Sequence, residues 1–122
     1  MSRVKPLKRE DLPELADLFK PVMDRMGFIP TSQLVMAHKP DLVRAFINLT
    51  LAVYKQEEGS IPMPLKSLIA NMASKSAGCM YCVAHTGSTS SRFGVDDEKV
   101  AAIWEFETSD LFSDAERAAL SS

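Results

Sequence analysis

The sequence predicts an all-α protein. Apolar residues recur at three- and four-residue spacing through most of the 122 residues, which is the spacing of one face of a helix. No segment alternates between apolar and polar residues as a half-buried strand does. With 46% hydrophobic and 25% charged residues, the chain has the composition of a globular domain, and we expect one domain over residues 1–122.

The first predicted helix ends at Gly27. Its apolar face comprises Leu15, Leu18, Phe19, Val22, Met23 and Met26. Asp11 and Glu14, three residues apart, resemble a capping box ahead of this helix. Pro21 lies inside the pattern and predicts a kink or a break, because proline lacks the backbone N–H and crowds the preceding turn.

Two further helices are predicted before residue 56. A short one fits Ser32 to His38 and ends at Lys39-Pro40. The next runs from about Asp41 to Lys55. Its apolar stripe, the face by which such a helix packs on a core, comprises Leu42, Phe46, Leu49 and Val53. Residues 56–63 are predicted to be a loop.

The sequence of the second half of the chain predicts four helices. Pro64 opens one that ends at Gly78, with an apolar face of Leu65, Leu68, Ile69, Met72 and Ala73. Cys79 opens the next, and another follows Gly94 and carries Val100, Ile103 and Trp104. Ser113 and Glu116 begin a last helix, which stops at Ser122 within about two turns. A helix this short is consistent with a chain truncated at its C-terminus.

Composition also bears on location and partners. Two cysteines in 122 residues are few for a small secreted domain, and we expect a reducing, cytoplasmic location. No signal peptide and no membrane span is predicted. The net charge is −2 and no basic cluster contains aromatic residues, so neither nucleic acid nor a membrane is expected as a partner.

The candidate site is Cys79-Met80-Tyr81-Cys82 followed by His85. A helix that begins at Cys79 would place this thiol at the positive end of the helix dipole, which favours the thiolate. Cys79 and Cys82 would lie ~60° apart around the helix, close enough for a disulfide, and His85 ~60° beyond Cys82. The imidazole would then exchange a proton with Cys82 more easily than with Cys79, so Cys82 is predicted to be the base-assisted thiol.

Two other interpretations of this motif stay open. The cysteines could be inert core residues, since free cysteine is often buried. They could also bind zinc together with His85, but then only the distant His38 could complete the four ligands of a structural site. We interpret His38 as a helix-end histidine, and we predict no metal and no cofactor.

The motif and its surroundings resemble the alkylhydroperoxidase (AhpD-like) and carboxymuconolactone decarboxylase family. The motif itself extends from Ser76 to Thr86. The flanking likeness covers Gly27 to Pro30, Met36 to Leu42, Pro64 to Lys66, and Gly94 to Asp114. The resemblance implies a bundle of about six antiparallel helices that assembles into homo-oligomers, often trimers or multiples of trimers.

The resemblance also implies an activity. In the redox branch of the family, the two cysteines cycle between dithiol and disulfide and reduce alkyl hydroperoxides, so Cys79, Cys82 and His85 are the predicted catalytic residues. A thiolate would attack the peroxide, the second cysteine would close the disulfide, and a dithiol or thiol-protein reductant would reopen it. Which cysteine attacks first is left open. The alternative is a non-catalytic oligomeric helical module or redox sensor with little turnover.

The chain departs from the family pattern at Ser67. Studied members carry a relay glutamate twelve positions before the first cysteine, and Ser67 occupies that place. Glu107, in the segment Trp104-Glu105-Phe106-Glu107, could supply a carboxylate if its aromatic neighbours shielded it from water and raised its pKa. The other interpretation, which we prefer, is that Glu105 and Glu107 are solvated, because charged residues are rarely buried unless paired.

Overall fold

The computed structural model describes residues 3–122, which form helices and no strands. Within this range there are seven α-helices, which are α1 (Ala16–Met26), α2 (Thr31–Met36), α3 (Pro40–Tyr54), α4 (Met63–Ser76), α5 (Met80–Arg92), α6 (Asp97–Ala101) and α7 (Asp114–Leu120). Short 3-10 turns cover Arg9–Asp11, Pro13–Leu15 and Ala102–Glu105. The all-α prediction is confirmed. None of these helices is both long and apolar enough to cross a membrane.

Two compact units divide after Lys55, and the expectation of one domain stays a prediction. The core of the first unit comprises Leu12, Leu15, Phe19, Val22, Met26, Ala37, Val43 and Ile47. Helix α1 continues through Pro21 without a break, and no side chain caps its start. A break at Pro21 and the predicted capping box at Asp11 are therefore wrong, while a kink at Pro21 stays a prediction. Gly27 ends α1 as predicted, with a φ of 77°.

Helix α3 forms where the sequence predicts it but packs by a different face. The buried residues of α3 are Val43 and Ile47. The predicted core stripe is exposed instead, with exposed fractions of 64% for Leu49 and 54% for Val53. The helix carries two neighbouring apolar stripes, and periodicity alone does not tell which one meets the core.

In the second unit, α4 and α5 form a helical hairpin beside a separate apolar core. This core comprises Leu68, Val95, Ile103, Phe106, Phe112 and Leu120. The predicted start of α7 is confirmed as a capping box, since Ser113 Oγ accepts the Glu116 N–H and Glu116 Oε2 accepts the Ser113 N–H. Lys99 binds Glu116 at 2.8 Å.

Candidate active site

A tight turn between α4 and α5 places the first cysteine. Gly78 has a φ of 67°, a conformation that glycine adopts without a Cβ clash. The Gly78 N–H donates to the Lys75 carbonyl and the Cys79 N–H to the Ser74 carbonyl, both at 3.0 Å. These two bonds form a Schellman motif, which satisfies the last carbonyls of α4. The chain therefore leaves one helix at Gly78 and enters the next at Cys79.

Cys79 is the N-cap of α5. Its sulfur accepts a hydrogen bond from the backbone N–H of Cys82 at 3.3 Å. This is the contact that an N-cap side chain makes with the first free N–H groups of a helix. Cys79 and Cys82 are both half-buried free thiols. The cysteine pair thus lies at the positive end of the helix dipole, where negative charge on sulfur is stabilised.

The two thiols differ in acidity. The Cys82 thiol donates a hydrogen bond to the Cys79 sulfur, and this bond, followed by the backbone N–H groups of Cys82 and Tyr81, lowers the pKa of Cys79. The same thiol contact, together with burial and the neighbouring negative charge, raises the pKa of Cys82. This contact favours a thiolate at Cys79 over one at Cys82.

The imidazole of His85 lies parallel to the ring of Tyr81, with centroids 6.0 Å apart and an interplanar angle of 9°. This stack fixes the plane of the imidazole on the same helix as the cysteines. The proton exchange between His85 and Cys82 stays a prediction. Within residues 3–122, no three His, Cys, Asp or Glu side chains are placed to share a metal ion.

The remaining candidates lie elsewhere or lack acid–base character. The Nε2 atom of His38 is 2.9 Å from the Lys5 carbonyl oxygen. Glu105 and Glu107 are exposed, so the shielded carboxylate considered for Glu107 is absent. Ser67 is fully buried, and its hydroxyl donates to the Pro64 carbonyl at 2.7 Å. A serine hydroxyl bound in this way cannot replace a relay carboxylate.

One buried residue beneath the motif escaped the sequence-based search. Asn71 of α4 is only 1% exposed. Its Nδ2 donates to the Val83 carbonyl at 3.1 Å and to the Thr86 hydroxyl at 3.0 Å. That hydroxyl donates to the Cys82 carbonyl at 2.7 Å. Asn71 therefore supports the first turns of α5. Its neighbours on the helix include the polar residues Ser67, Ser74 and Lys75, so the hydropathy pattern gave no signal that Asn71 is buried.

This geometry can be compared with known proteins. The sequence profile of the carboxymuconolactone decarboxylase family matches residues 40–121, which is more than half of the chain. The chain belongs to this family. The predicted family is thereby confirmed. No curated protein matches the chain.

Two solved structures are similar to the chain over nearly all its length. One is the debrominase Bmp8 with a cysteine-to-alanine substitution in complex with 2,3,4-tribromopyrrole, with 40% identity and a TM-score of 0.86. The other is the debrominase Bmp8 without ligand, with 41% identity and a TM-score of 0.85. Each match covers 99% of this chain and 64% of the debrominase chain. The family and these neighbours indicate an enzyme.

The prediction of a thiol peroxidase that reduces hydroperoxides is wrong. The similar structures are of a debrominase, which is not a hydroperoxide peroxidase. The physical reason is that a cysteine pair attacks whichever electrophilic atom its surroundings present, so the motif alone does not select oxygen. Ser67, in the place of the relay glutamate, was the residue that departed from the peroxidase pattern.

Proposed function

We propose that this chain is, or is part of, a thiol-dependent reductive debrominase that replaces bromine by hydrogen on small brominated aromatic rings. The observation that carries the proposal is the pairing of Cys79 and Cys82 at the start of α5, where the Cys79 sulfur accepts the backbone N–H of Cys82 and the pKa of Cys79 is lowered while that of Cys82 is raised. This pair occurs in a chain 40% identical to a debrominase that binds a tribromopyrrole. The apolar side chains of Met80 and Tyr81 are exposed beside the pair, which suits an apolar ring.

The first step uses the different acidity of the two thiols. The Cys79 thiolate attacks the bromine of the ring, so that an S–Br bond forms and the C–Br bond breaks. The bonding electron pair stays on the ring carbon. The Cys82 thiol, kept protonated by its raised pKa, then gives its proton to that carbon.

The second step closes the disulfide. The Cys82 sulfur, now a thiolate, displaces bromide from the sulfur of Cys79, and the Cys79–Cys82 bond forms. The ring has gained two electrons and a proton and has lost bromide, while one thiolate and one thiol have become a disulfide. An external dithiol or a thiol-protein reductant would return the pair to its reduced state, which accords with the predicted cytoplasmic location.

The third proposed site residue is His85. Its ring, held parallel to Tyr81, lies on the same helix as Cys82, three residues further on. We assign it the exchange of the Cys82 proton with solvent, which must occur once in each cycle. A His85→Ala variant is expected to lower turnover and to change its pH profile while leaving bromide release stoichiometric with substrate consumed.

Bromide release tests the proposal directly. The purified chain is incubated with 2,3,4-tribromopyrrole and dithiothreitol without oxygen, and bromide is measured by ion chromatography. We expect one bromide for each ring that loses one bromine by mass spectrometry. In deuterium oxide, the hydrogen gained by the ring should be deuterium, because thiol protons exchange with solvent.

Matched variants assign the roles. Cys79→Ala and Cys82→Ala are each expected to lower turnover by at least ~100-fold. Ser88→Ala, at an exposed position of the same helix, should keep nearly all of it. The proposal fails if the cysteine variants release bromide at the wild-type rate, or if the wild-type chain releases none although its thiols react with iodoacetamide. The second result would favour a redox sensor without turnover.

A further inference from the structure

A chain of hydrogen bonds runs from α4 to the backbone of Cys79. Asn71 Nδ2 donates to the Thr86 hydroxyl at 3.0 Å, and that hydroxyl donates to the Cys82 carbonyl at 2.7 Å. The same peptide group carries the N–H of Val83, which donates to the Cys79 carbonyl at 2.9 Å. Cys79 is therefore joined through three successive hydrogen bonds to a side chain of the neighbouring helix.

The direction of these bonds is fixed by their partners. The Val83 carbonyl, 3.1 Å from Asn71 Nδ2, can only accept, so the amide must present its NH₂ group to α5. The Thr86 hydroxyl is thus an acceptor for Asn71, and its own proton goes to a carbonyl of the preceding turn. The carbonyl of Cys82, at 2.7 Å, is closer than that of Val83, at 3.3 Å. Hydrogen bonds that follow one another in this way strengthen each other.

The stability of the fold does not account for Asn71. Its side chain is 1% exposed, and its Oδ1 atom has no hydrogen-bond partner within residues 3–122. A buried carbonyl oxygen without a partner costs free energy, and an apolar side chain of similar volume would avoid that cost. Buried polar groups that lack a partner are expected where reactivity, and not stability, depends on the residue.

The sulfur of Cys79 depends on the segment that this chain of bonds holds. It accepts the backbone N–H of Cys82 at 3.3 Å, and such a bond weakens steeply when the N–H turns away from the acceptor. The carbonyl that Thr86 holds and the N–H that reaches the sulfur belong to one residue, so a shift of one moves the other. The bonded N–H stabilises negative charge on the sulfur.

We propose that Asn71, acting through Thr86, is a positioning residue that holds the Cys82 N–H on the Cys79 sulfur and thereby sets the reactivity of the cysteine pair. Neither Asn71 nor Thr86 bonds to a sulfur atom, so both act through the backbone of Cys82. The part that concerns attack on bromine rests on the proposed function. The effect on the equilibrium between dithiol and disulfide does not.

The reduction potential of the cysteine pair tests this role without a brominated substrate. Purified protein is equilibrated with mixtures of reduced and oxidised dithiothreitol, and the fraction of disulfide is measured by mass after alkylation of free thiols. Thr86→Val removes the hydroxyl and nearly keeps the shape of the side chain. The reduced pair then loses stabilisation, so we expect the equilibrium constant to shift about tenfold towards the disulfide, which is a potential ~30 mV lower.

Two further threonine variants separate this bond from a general effect on α5. Thr86→Ser keeps the hydroxyl and is expected to restore the wild-type potential. Thr89→Val is the matched control, because the Thr89 hydroxyl also bonds to the carbonyl four residues back, that of His85 at 2.9 Å, but this bond lies within α5. Its potential should equal that of the wild type. An equal shift in Thr89→Val and Thr86→Val would overturn the proposal.

Two substitutions of Asn71 separate reactivity from stability. Asn71→Ala leaves a cavity, whereas Asn71→Leu fills it and also removes the oxygen that lacks a partner, so the leucine variant is expected to withstand more urea. Both variants remove the donor to Thr86, and both should lower the potential as much as Thr86→Val does. A potential that follows urea stability across these variants would leave Asn71 a structural role only and would overturn the proposal.

Turnover distinguishes failure of this inference from failure of the proposed function. With 2,3,4-tribromopyrrole, Thr86→Val should lower kcat for bromide release about tenfold and leave KM unchanged, because the variant affects the sulfur and not the binding of the ring. A wild-type chain that releases no bromide, while Thr86→Val still shifts the potential, would contradict the proposed function alone. Wild-type potentials in both Thr86→Val and Asn71→Leu would overturn the positioning role, whether or not the wild type releases bromide.

Discussion

Helix α3 and the α4–α5 hairpin distribute their side chains in opposite ways. Helix α3 leaves six apolar residues exposed while burying Val43 and Ile47. The hairpin buries polar residues, among them Ser67, Asn71 and Ser90, each no more than 1% exposed. Hydropathy alone would assign these environments in reverse. What decides burial in each case is the neighbouring segment that the tertiary structure brings against the helix.

The buried polar side chains of the hairpin have identifiable hydrogen-bond partners. Ser67 and Ser90 each donate to a carbonyl of their own helix, so their burial leaves no hydroxyl proton unsatisfied. Asn71 instead donates across to α5. A Cβ at Gly87 would lie at an ordinary contact distance of 3.7 Å from Asn71 Nδ2, so this approach does not require glycine. The hairpin is thus held by directional bonds, whereas α3 is held by apolar packing on one side.

The largest expected effect on stability distinguishes the buried face of α3 from its exposed face. Ile47→Ala removes a fully buried side chain and should lower the free energy of unfolding by about 2–5 kcal/mol. Leu49→Ala on the exposed face should change it by less than about 0.5 kcal/mol. Urea unfolding of the wild type and the two variants, at low protein concentration, measures both changes in free energy. Equal losses of unfolding free energy in the two variants would mean that both apolar stripes of α3 are buried.

The next effect compares two asparagines, one in each region. Asn71→Ala removes two hydrogen bonds to α5 and leaves a cavity, and should cost about 2 kcal/mol. Asn48→Ala, at an exposed position of α3, should cost less than about 0.5 kcal/mol. If Asn71→Ala were as mild as the control in urea unfolding, the bonds from Asn71 would not be what holds the hairpin.

The smallest effect concerns an ion pair in the same unit as the hairpin. Burial alone would raise the pKa of Glu116, but its bonds to Lys99 and Ser113 outweigh burial and lower it. A lowered carboxyl pKa gives stability that is present above the unfolded-state pKa and is lost as pH falls through the folded-state value. Glu116→Gln keeps the capping bond to Ser113 and removes the charge.

The measurement is the unfolding free energy of wild type and Glu116→Gln between neutral and acid pH. At pH 7 the wild type should be more stable by less than about 1 kcal/mol. The difference should vanish towards acid pH. A difference that stays constant across this range would assign the effect to packing instead of charge.

The candidate site was only partly predictable. The cysteine pair and His85 stood out because few residues carry such chemistry and their spacing is short. The difference in pKa between the two thiols depends on the contact between them and on the backbone N–H groups that Cys79 meets as the cap of α5, which only the structure showed. The electrophile that the pair attacks was assigned wrongly because the motif is the same for different electrophiles. The bonds from Asn71 join residues far apart in sequence.

The sequence by itself determined the helices, several of their ends and the position of the cysteine pair, because these depend on neighbours within a few residues. The ends at Gly27 and the capping box at Ser113 are examples. Only the tertiary structure decided which stripe of α3 is buried and which polar side chains lie inside the hairpin. Both depend on contacts between segments distant along the chain. The periodicity of a helix does not show which distant segment will pack against each of its faces.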